Sequence, residues 1–273
     1  SLAHLIAQST SQVISEEKPL LSATLPDGYR VQVVFPPACA DGGIAMSIRK
    51  QAALMMTLDT YEQLGAFANT KTGLGIHNPM DDILGDLYAK GDVKGFISQA
   101  VKFKKNIIIS GGTSTGKTTF MNAALTQIPS NERIITVEDA REVQITHIPN
   151  RVHLMVSKGG QGRAKVTTQD LIEACLRLRP DRIIVGELRG AEAFSYLRAV
   201  NTGHPGSIAT IHADSPTLAI EQLILMIMQA DLGITREQIK DYVESIIQVV
   251  IQLKRGEKGR RFVSEVYFKP SGH

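Results

Sequence analysis

The order of apolar and polar positions divides the chain into two parts with different patterns. The first part predicts one helix and three strands, over residues 5–14, 20–25, 29–35 and 44–49. Pro26-Asp27-Gly28 joins the first two strands, because proline fixes φ and glycine accepts a positive φ in such a turn. In the third strand, Ile44, Met46 and Ile48 occupy alternate positions and are expected on one face. We therefore predict a small α+β N-terminal domain over residues 1–64.

From residue 81 onward, the pattern changes to strands that alternate with helices. The runs NIIIS, RIITV, RIIVG and SIATI are rich in β-branched residues, as is typical of strands buried on both faces of a parallel sheet. The last runs, SIIQVVIQL and FVSEVYF, predict a hairpin with a basic tip. The cations of this tip are Lys254, Arg255, Lys258, Arg260 and Arg261. Residues 65–80, rich in Gly, Asn and Thr, form the predicted linker, and residues 81–273 form an α/β domain with a largely parallel sheet.

Composition narrows the classes of protein that fit. The chain has 273 residues, of which 43% are hydrophobic and 21% charged, and this excludes a mostly disordered chain. No apolar run approaches the roughly 18 residues that cross a bilayer. The net charge of +3 and the aromatic content of 5% do not favour direct nucleic-acid binding. Cys39 and Cys175 lack the spacing of a zinc site or a disulfide framework.

Residues 111–118 fit the phosphate-loop pattern GxxxxGK[ST], and they lie between a predicted strand and a predicted helix, as the motif requires. The glycines allow backbone N–H groups to point at an anion at the positive end of the helix. Lys117 can then reach the β- and γ-phosphates, and the Thr118 hydroxyl can coordinate Mg²⁺. The residues expected to contact the nucleotide are Gly111, Gly112, Thr113, Ser114, Thr115, Gly116, Lys117, Thr118 and the next residue, Thr119.

The same residues carry a second motif from a different class of enzyme. Residues 112–116 satisfy GxSxG, the nucleophile elbow of α/β-hydrolases, which also lies between a strand and a helix. An esterase would need an acid and then a histidine downstream, and both residue types are present. The elbow gives no reason for Lys117 and Thr118 to follow, whereas the phosphate loop requires both. The phosphate-binding interpretation is therefore favoured.

Three further predicted strands end in residues that can do chemistry. RIITV leads into Glu138 and Asp139, RIIVG into Glu187, and SIATI into His212. Ligands of open α/β sheets bind beyond the carboxyl ends of the strands, so these side chains are expected beside the phosphate loop. His204 precedes the last of these strands and, with His212, is a candidate for contact with the γ-phosphate.

Hydrolysis of a nucleoside triphosphate requires neutralised charge at the γ-phosphate and a water molecule held in line. Thr118 together with Asp139 or Glu187 can hold Mg²⁺, and another carboxylate can orient or deprotonate the water. The sequence leaves open whether Glu138 or Glu187 is the base. We expect Lys117, Glu138 and Glu187 to be catalytic, with ATP and Mg²⁺ as the cofactors. A GTPase is less favoured because the guanine signature NKxD does not occur.

The blocks GGTSTGKT, ITVEDAREV, RPDRIIVGELRG and TGHPGSIATIHADSP together resemble the secretion-superfamily ATPases. These are hexameric motors of type II and type IV secretion and of pilus assembly and retraction, and the resemblance implies a RecA-like P-loop domain. Glu138-Asp139 matches the aspartate box of the family, and Gly186-Glu187 matches its atypical Walker B motif. His204 and His212 match its histidine box.

Within this superfamily, the segment RVQVVFPPACADGGIAMSIRK is similar to the N-terminal domain of the type IV secretion traffic ATPases. In that family, two arginines of the N-terminal domain reach the bound nucleotide, and Arg30 and Arg49 are the matching positions. If their strands are neighbours, both guanidinium groups can stand on one polar face. Members are typically longer, so we expect that the start of this domain precedes residue 1.

The resemblance implies a homohexameric ATPase that energises a type IV secretion or conjugative transfer apparatus. ATP binding and hydrolysis would be coupled to movement of the N-terminal domain against the RecA-like domain. The expected partners are other ATPases and inner-membrane components of the apparatus. The expected location is the cytoplasm, in peripheral contact with the inner membrane.

Three alternatives stay open at this point. One is a motor of a type IV pilus or of type II secretion, although many type II motors carry a tetracysteine zinc insert and this chain has two cysteines. Another is a docking scaffold that is gated by nucleotide and whose turnover is incidental. The third is a nucleic-acid helicase, which would rest on the basic hairpin tip alone, and such a charge run is usually a solvated turn.

Overall fold

The computed structural model describes residues 1–51, 56–72, 77–157 and 164–270. Two β-sheets organise these residues, a three-stranded antiparallel sheet followed by a seven-stranded sheet that is mostly parallel. This arrangement confirms the predicted α/β class, in which a small α+β unit precedes a parallel-sheet unit. The predicted linker over residues 65–80 lies partly outside the described residues, because they do not include 73–76.

The small sheet contains β1 (Leu20–Thr24), β2 (Arg30–Val34) and β3 (Ala45–Arg49), in that spatial order. The predicted turn joins β1 to β2, and Gly28 has a φ of 81° there, as a glycine can adopt at low cost. Helix α1 (Leu2–Ser9) covers one face of this sheet. The core between them is apolar and includes Ile6, Leu21, Val31 and Val33.

The other face of the small sheet packs toward the rest of the chain. Gln32 is buried there, and its Oε1 accepts a hydrogen bond of 2.5 Å from the Ser22 hydroxyl. Met46 and Ile48 share one face of β3, as predicted, but Ile48 is 50% exposed, and Ile44, which is 43% exposed, precedes the strand. The core under α1 draws its buried residues mainly from α1, β1 and β2, and Met46 of β3 packs against it while partly buried.

In the described part of the connection between the two sheets, the helices are α2 (Leu58–Gln63), α3 (Pro79–Ala89) and α4 (Val93–Lys102). Helix α3 begins two residues before the predicted start of the second domain. The side chain of Asn78 caps it by accepting a hydrogen bond of 3.1 Å from the N–H of Met80, and Pro79 occupies the first helical position.

The large sheet has the strand order β10-β9-β4-β8-β7-β5-β6. Its strands are β4 (Ile107–Gly111), β5 (Ile134–Glu138), β6 (Arg151–Met155), β7 (Arg182–Val185), β8 (Ile208–Ile211), β9 (Val249–Arg255) and β10 (Arg261–Phe268). The four strands predicted from β-branched runs, β4, β5, β7 and β8, are adjacent, parallel and buried throughout. The C-terminal hairpin of β9 and β10 is confirmed, and β6 is a strand that the apolar pattern did not predict.

Helices on both faces bury this sheet. They are α5 (Lys117–Leu125), α6 (Thr168–Leu178), α7 (Glu192–Asn201), α8 (Pro216–Met228) and α9 (Arg236–Ile246). One core contains side chains of α4 and α5, and the other contains side chains of α6 to α9. Because the crossover strands all point the same way, their carboxyl ends share one edge of the sheet, which we call the carboxyl edge; the opposite edge is the amino edge.

The apolar segment PTLAIEQLILMIM, which contains two methionines, forms α8, where Ala219, Leu223 and Ile227 are buried in the sheet core. Its apolar character therefore reflects packing. Within the described ranges, no helix combines the length and the apolar character that a bilayer crossing would need.

Candidate functional site

The phosphate-loop residues lie between β4 and α5, at the carboxyl edge. Gly116 is the N-cap residue of α5 and has a φ of 85°, in the region that favours glycine. Gly111 is restricted by space, because a Cβ there would overlap Oγ1 of Thr115 and lie 3.0 Å from the carbonyl oxygen of Leu253. The Thr115 hydroxyl donates to the carbonyl of Gly112 at 2.9 Å. The loop thus has the tight turn and the helix N-terminus that an anion cradle needs.

Lys117 is buried at the centre of this loop. Its Nζ donates to the carbonyl oxygens of Gly111 and Gly112, at 2.9 and 3.3 Å. The same Nζ lies 3.3 Å from both ring nitrogens of His212. Burial lowers the pKa of Lys117, and the carboxylate of Glu187 partly opposes this shift. The loop therefore holds a partly desolvated cation whose donors face the carboxyl edge.

A chain of charged side chains continues from Lys117 along this edge. Nε2 of His212 lies 3.1 Å from one carboxylate oxygen of Glu187. Arg189 donates to the other oxygen of Glu187 and to Asp139, both at 3.0 Å. The hydrogen bond with Glu187 raises the pKa of Arg189, and the charge of Asp139 adds to this effect. The structure thus brings together the predicted residues Lys117, His212, Glu187 and Asp139, with Arg189 as a link between the two carboxylates.

Glu138 lies at the end of β5, but its carboxylate is held by its own loop. Its oxygens accept hydrogen bonds from the backbone N–H groups of Glu142 and Val143, at 2.8 and 2.7 Å, and from the Thr136 hydroxyl at 2.8 Å. Burial raises the pKa of Glu138, but the hydrogen bonds, led by the contact with His153, outweigh burial and the net pKa is lowered. Glu138 therefore anchors the loop that carries Asp139.

We expect Glu138→Gln to lower the free energy of unfolding at pH 7 by about 1.5–3 kcal/mol, because an ionised acceptor of several buried hydrogen bonds is lost. The folded-state pKa of Glu138 is depressed, so its stabilisation is present above the ordinary glutamate pKa of about 4.3 and is lost as the pH falls through the folded pKa. Urea unfolding at pH 7 and pH 3 should show the difference from wild type shrinking at pH 3. A difference that is equal at both pH values would contradict this, and the exposed Glu173→Gln serves as the control.

His204 is not brought to the phosphate loop. It is buried at the amino edge, before β8, and its Nδ1 lies 2.7 Å from the carbonyl oxygen of Pro180. The strand between His204 and His212 has four residues, roughly 13 Å in length, and it separates the two histidines across the sheet. Of the two, only His212 lies beside Lys117.

Arg30 and Arg49 lie directly opposite each other on β2 and β3. They line a cavity of about 1280 Å³ between the small sheet and the end of α6. The other cations on its wall are Lys50, Arg177 and Arg179. Helix α6 ends just before β7 begins, so this cavity lies toward the amino edge, roughly a strand length of 13 Å or more from the phosphate loop. The structure joins the two arginines but does not place them at this chain's own phosphate loop.

The residues available to a metal ion are few. Among the described residues there is no cluster of three or more His, Cys, Asp or Glu that could hold one. Thr118 is half-buried, and its hydroxyl has no hydrogen bond to another described residue. Mg²⁺ usually takes one or two protein ligands together with substrate phosphates and water. The Thr118 hydroxyl with one carboxylate, that of Asp139 or Glu187, therefore fits Mg²⁺ that binds together with a nucleotide.

Two residues of the site were missed by sequence reasoning. Arg189 lies two positions after Glu187, and a cation so close to a predicted catalytic carboxylate is a signal that could have identified it. Gln252 is a lone polar residue within the apolar run of β9. Its Nε2 donates at 3.0 Å to the carbonyl of Ala213, which also accepts from Ser110, and so it holds the segment that follows His212.

Comparisons with known proteins give matches to one family, to its relatives and to solved structures. The family described as type II/IV secretion system proteins matches residues 85–269. The type IV secretion system protein VirB11 of Bartonella henselae is 41% identical over 98% of this chain and 79% of its own length. The crystal structure of the VirB11 ATPase from the Brucella suis type IV secretion system, in complex with sulphate, has a TM-score of 0.90 and 36% identity, over 98% of this chain and 82% of that one. The pilus retraction motor PilT with bound ADP has a TM-score of 0.50 and 21% identity, over 93% and 64%, and shares the fold.

Proposed function

Because the chain belongs to the family of type II/IV secretion system proteins, we propose that it is the ATPase of a type IV secretion or conjugation apparatus, hydrolysing ATP to ADP and phosphate. The observation that carries this proposal is the contact of Lys117 with His212 and, through it, with Glu187, at the edge where α/β sheets bind their ligands. A pilus motor is less favoured, since the pilus retraction motor is 21% identical while the type IV secretion relative is 41% identical.

Binding of ATP rests on the loop and on Lys117. The backbone N–H groups at the start of α5 are directed toward the α- and β-phosphates, and the Lys117 ammonium reaches the β- and γ-phosphates. Further contacts come from Thr113 and Ser114, which are exposed on the loop, and from Thr119 in the first turn of α5. Thr118 and either Glu187 or Asp139 would hold Mg²⁺, which neutralises phosphate charge when it is bound.

Glu187 is the carboxylate that the geometry favours as the base. Glu187 contacts His212, which in turn contacts Lys117, and its side chain is 18% exposed. The Glu138 side chain is 1% exposed and is bonded to the backbone of its own loop. Arg189 and His212 fix the two oxygens of Glu187 from opposite sides, and such positioning is what a group that orients a water molecule needs. Asp139 shares Arg189 with Glu187, so it can take up the arginine when Glu187 turns to water or metal.

Arg30 and Arg49 lie toward the amino edge of the large sheet, whereas their own phosphate loop lies at its carboxyl edge, so in this arrangement they would complete an ATP site of another chain. We propose that the chains form a homohexameric ring in which these arginines meet the nucleotide of the neighbouring subunit. Among the described residues, the cavity is lined by five cations and by no carboxylate. Because arginine binds phosphate oxygens bidentately, the cavity suits an anion supplied by a neighbour.

We expect Arg49→Ala to weaken ATP binding about tenfold, with a smaller effect on ADP, and to reduce turnover without loss of fold, because a charge-assisted hydrogen bond is lost. Titration calorimetry with ADP and a non-hydrolysable ATP analogue measures this, with Lys18→Ala as the control for loss of one exposed cation. Mixing Arg49→Ala chains with Lys117→Ala chains tests the neighbour contact. Mixed rings should recover part of the activity, because a Lys117→Ala chain can supply its Arg49 to the intact loop of an Arg49→Ala neighbour. A mixture as inactive as the two single variants would contradict a contact of Arg49 with the neighbouring subunit.

Coupling of hydrolysis to transport completes the proposal. Nucleotide between subunits would hold the small sheet of one chain against the large domain of the next, and hydrolysis would release it. Other ATPases and inner-membrane components of the apparatus are the proposed partners, and the proposed location is the cytoplasmic face of the inner membrane, in peripheral contact.

A transport assay in cells separates a motor from a nucleotide-gated scaffold. Glu187→Gln should abolish transport while the chain still binds ATP and assembles into rings. Transport at the wild-type level by this variant would show that turnover is incidental, and the motor proposal would fail.

A further inference from the structure

The basic tip of the hairpin between β9 and β10 is the one motif of the sequence that the proposed function leaves unused. Strand β9 pairs with β4, and the pair Gly111 and Leu253 lies at the start of the phosphate loop. The tip therefore stands beside the loop, on the flank opposite β8 and His212. Its position places a group of arginines at the edge of the proposed ATP site.

Alternation along the strands selects which arginine faces the loop. Val249, Ile251 and Leu253 belong to the core that α5 covers, so the next residue on this face is Arg255. Arg255 pairs directly with Arg261 on β10, and directly paired residues of antiparallel strands share a face. Arg261 is thus the first residue of β10 on the side of the sheet where the phosphate loop turns into α5.

The side chain of Arg261 lies against the last glycine of the loop. A Cβ added at Gly116 would lie 2.9 Å from Cδ, 3.4 Å from Nη1 and 3.5 Å from Nε of Arg261. Arg261 is exposed, and within the described part of the chain its guanidinium forms no hydrogen bond or ion pair. The planar Arg261 guanidinium, whose N–H groups are available as donors, therefore lies over the N-terminus of α5, beside a loop suited to phosphate.

The two flanks of the loop correspond to the two ends of a nucleotide. Lys117 reaches the β- and γ-phosphates, and it turns toward His212 on the β8 side. The opposite flank, where Arg261 lies, is then left for the α-phosphate and the nucleoside. We propose that Arg261 contacts the bound nucleotide at its α-phosphate and nucleoside end. This inference rests on the proposed function. Because ADP and ATP share the α-phosphate and the nucleoside, the contact should strengthen the binding of both to the same extent.

Arg261→Ala tests this by its effect on two nucleotides. Titration calorimetry of the full chain with ADP and with a non-hydrolysable ATP analogue should show both dissociation constants rising by a similar factor, on the order of tenfold. Arg260→Ala removes an exposed cation from the same tip and is the matched control, expected to bind like wild type. Arg261→Lys should bind less well than wild type, because lysine lacks the planar fork.

Each other outcome is informative. Unchanged affinity in Arg261→Ala would leave Arg261 a solvated hairpin residue and overturn the inference. A loss confined to the ATP analogue would place the contact at the γ-phosphate and overturn it as well, as would an equal loss in Arg260→Ala. A wild-type chain that binds neither nucleotide would overturn the proposed function itself, and the two failures are thereby distinguished.

Discussion

Replacing Glu187 by Gln should lower kcat for ATP hydrolysis by about 10²- to 10⁴-fold, the range that loss of acid–base catalysis usually costs. Glutamine is nearly the same size, and its oxygen can still accept from Arg189, so the side chain should keep its place. It cannot take a proton from water at neutral pH. ATP binding rests on the phosphate loop and Lys117, and it should be retained.

The measurement is phosphate release under saturating ATP, together with a separate titration of ATP affinity. Glu142→Gln, an exposed carboxylate in the loop beyond β5, is the matched control and should turn over normally. Normal turnover in Glu187→Gln would show that Glu187 is not the base for ATP hydrolysis. If Glu138→Gln lost kcat by the same factor while its stability was unchanged, the catalytic duty would move to Glu138.

Lys117→Ala should weaken nucleotide binding and lower kcat/KM for ATP hydrolysis by at least about 10²-fold, the lower end of what loss of one charge-stabilising donor costs. The Lys117 ammonium is the cation buried in the loop, and its donors now satisfied by the carbonyls of Gly111 and Gly112 are the ones that would meet phosphate oxygens. Alanine supplies no replacement for that charge.

Because Lys117 is buried, the variant needs a check of its fold. Circular dichroism should match wild type, and Lys102→Ala, an exposed lysine at the end of α4, should bind nucleotide normally. Phosphate release at the wild-type rate by folded Lys117→Ala would mean that residues 111–118 do not bind the triphosphate.

The centre of the large sheet could be predicted from the sequence because its strands are buried on both faces. β4, β5, β7 and β8 are nearly uniform β-branched runs, and their parallel direction places Lys117, Glu187 and His212 at one edge without knowledge of the fold. The phosphate loop was predicted for a similar reason, since its glycines and its lysine are required by backbone geometry and by charge.

The remaining features depend on distances that local patterns do not contain. His204 precedes β8 and His212 follows it, so the carboxyl-end rule that placed His212 could also have separated His204 from the phosphate loop. Glu138 and Glu187 both follow apolar strands, yet only the fold shows that backbone N–H groups of residues 142 and 143 occupy the first. The docking of the small sheet against α6, which removes Arg30 and Arg49 from their own loop, is likewise a tertiary property.

A phosphate-release assay on the purified wild-type chain, with Mg²⁺ and after chelation, decides whether this edge is an ATPase site. The chain should release phosphate from ATP when Mg²⁺ is present and lose this activity when Mg²⁺ is chelated, because Thr118 and a single carboxylate cannot replace the charge of the metal. If the folded and assembled chain released no phosphate from ATP even with Mg²⁺ present, the proposal that this edge is an ATPase site would be contradicted.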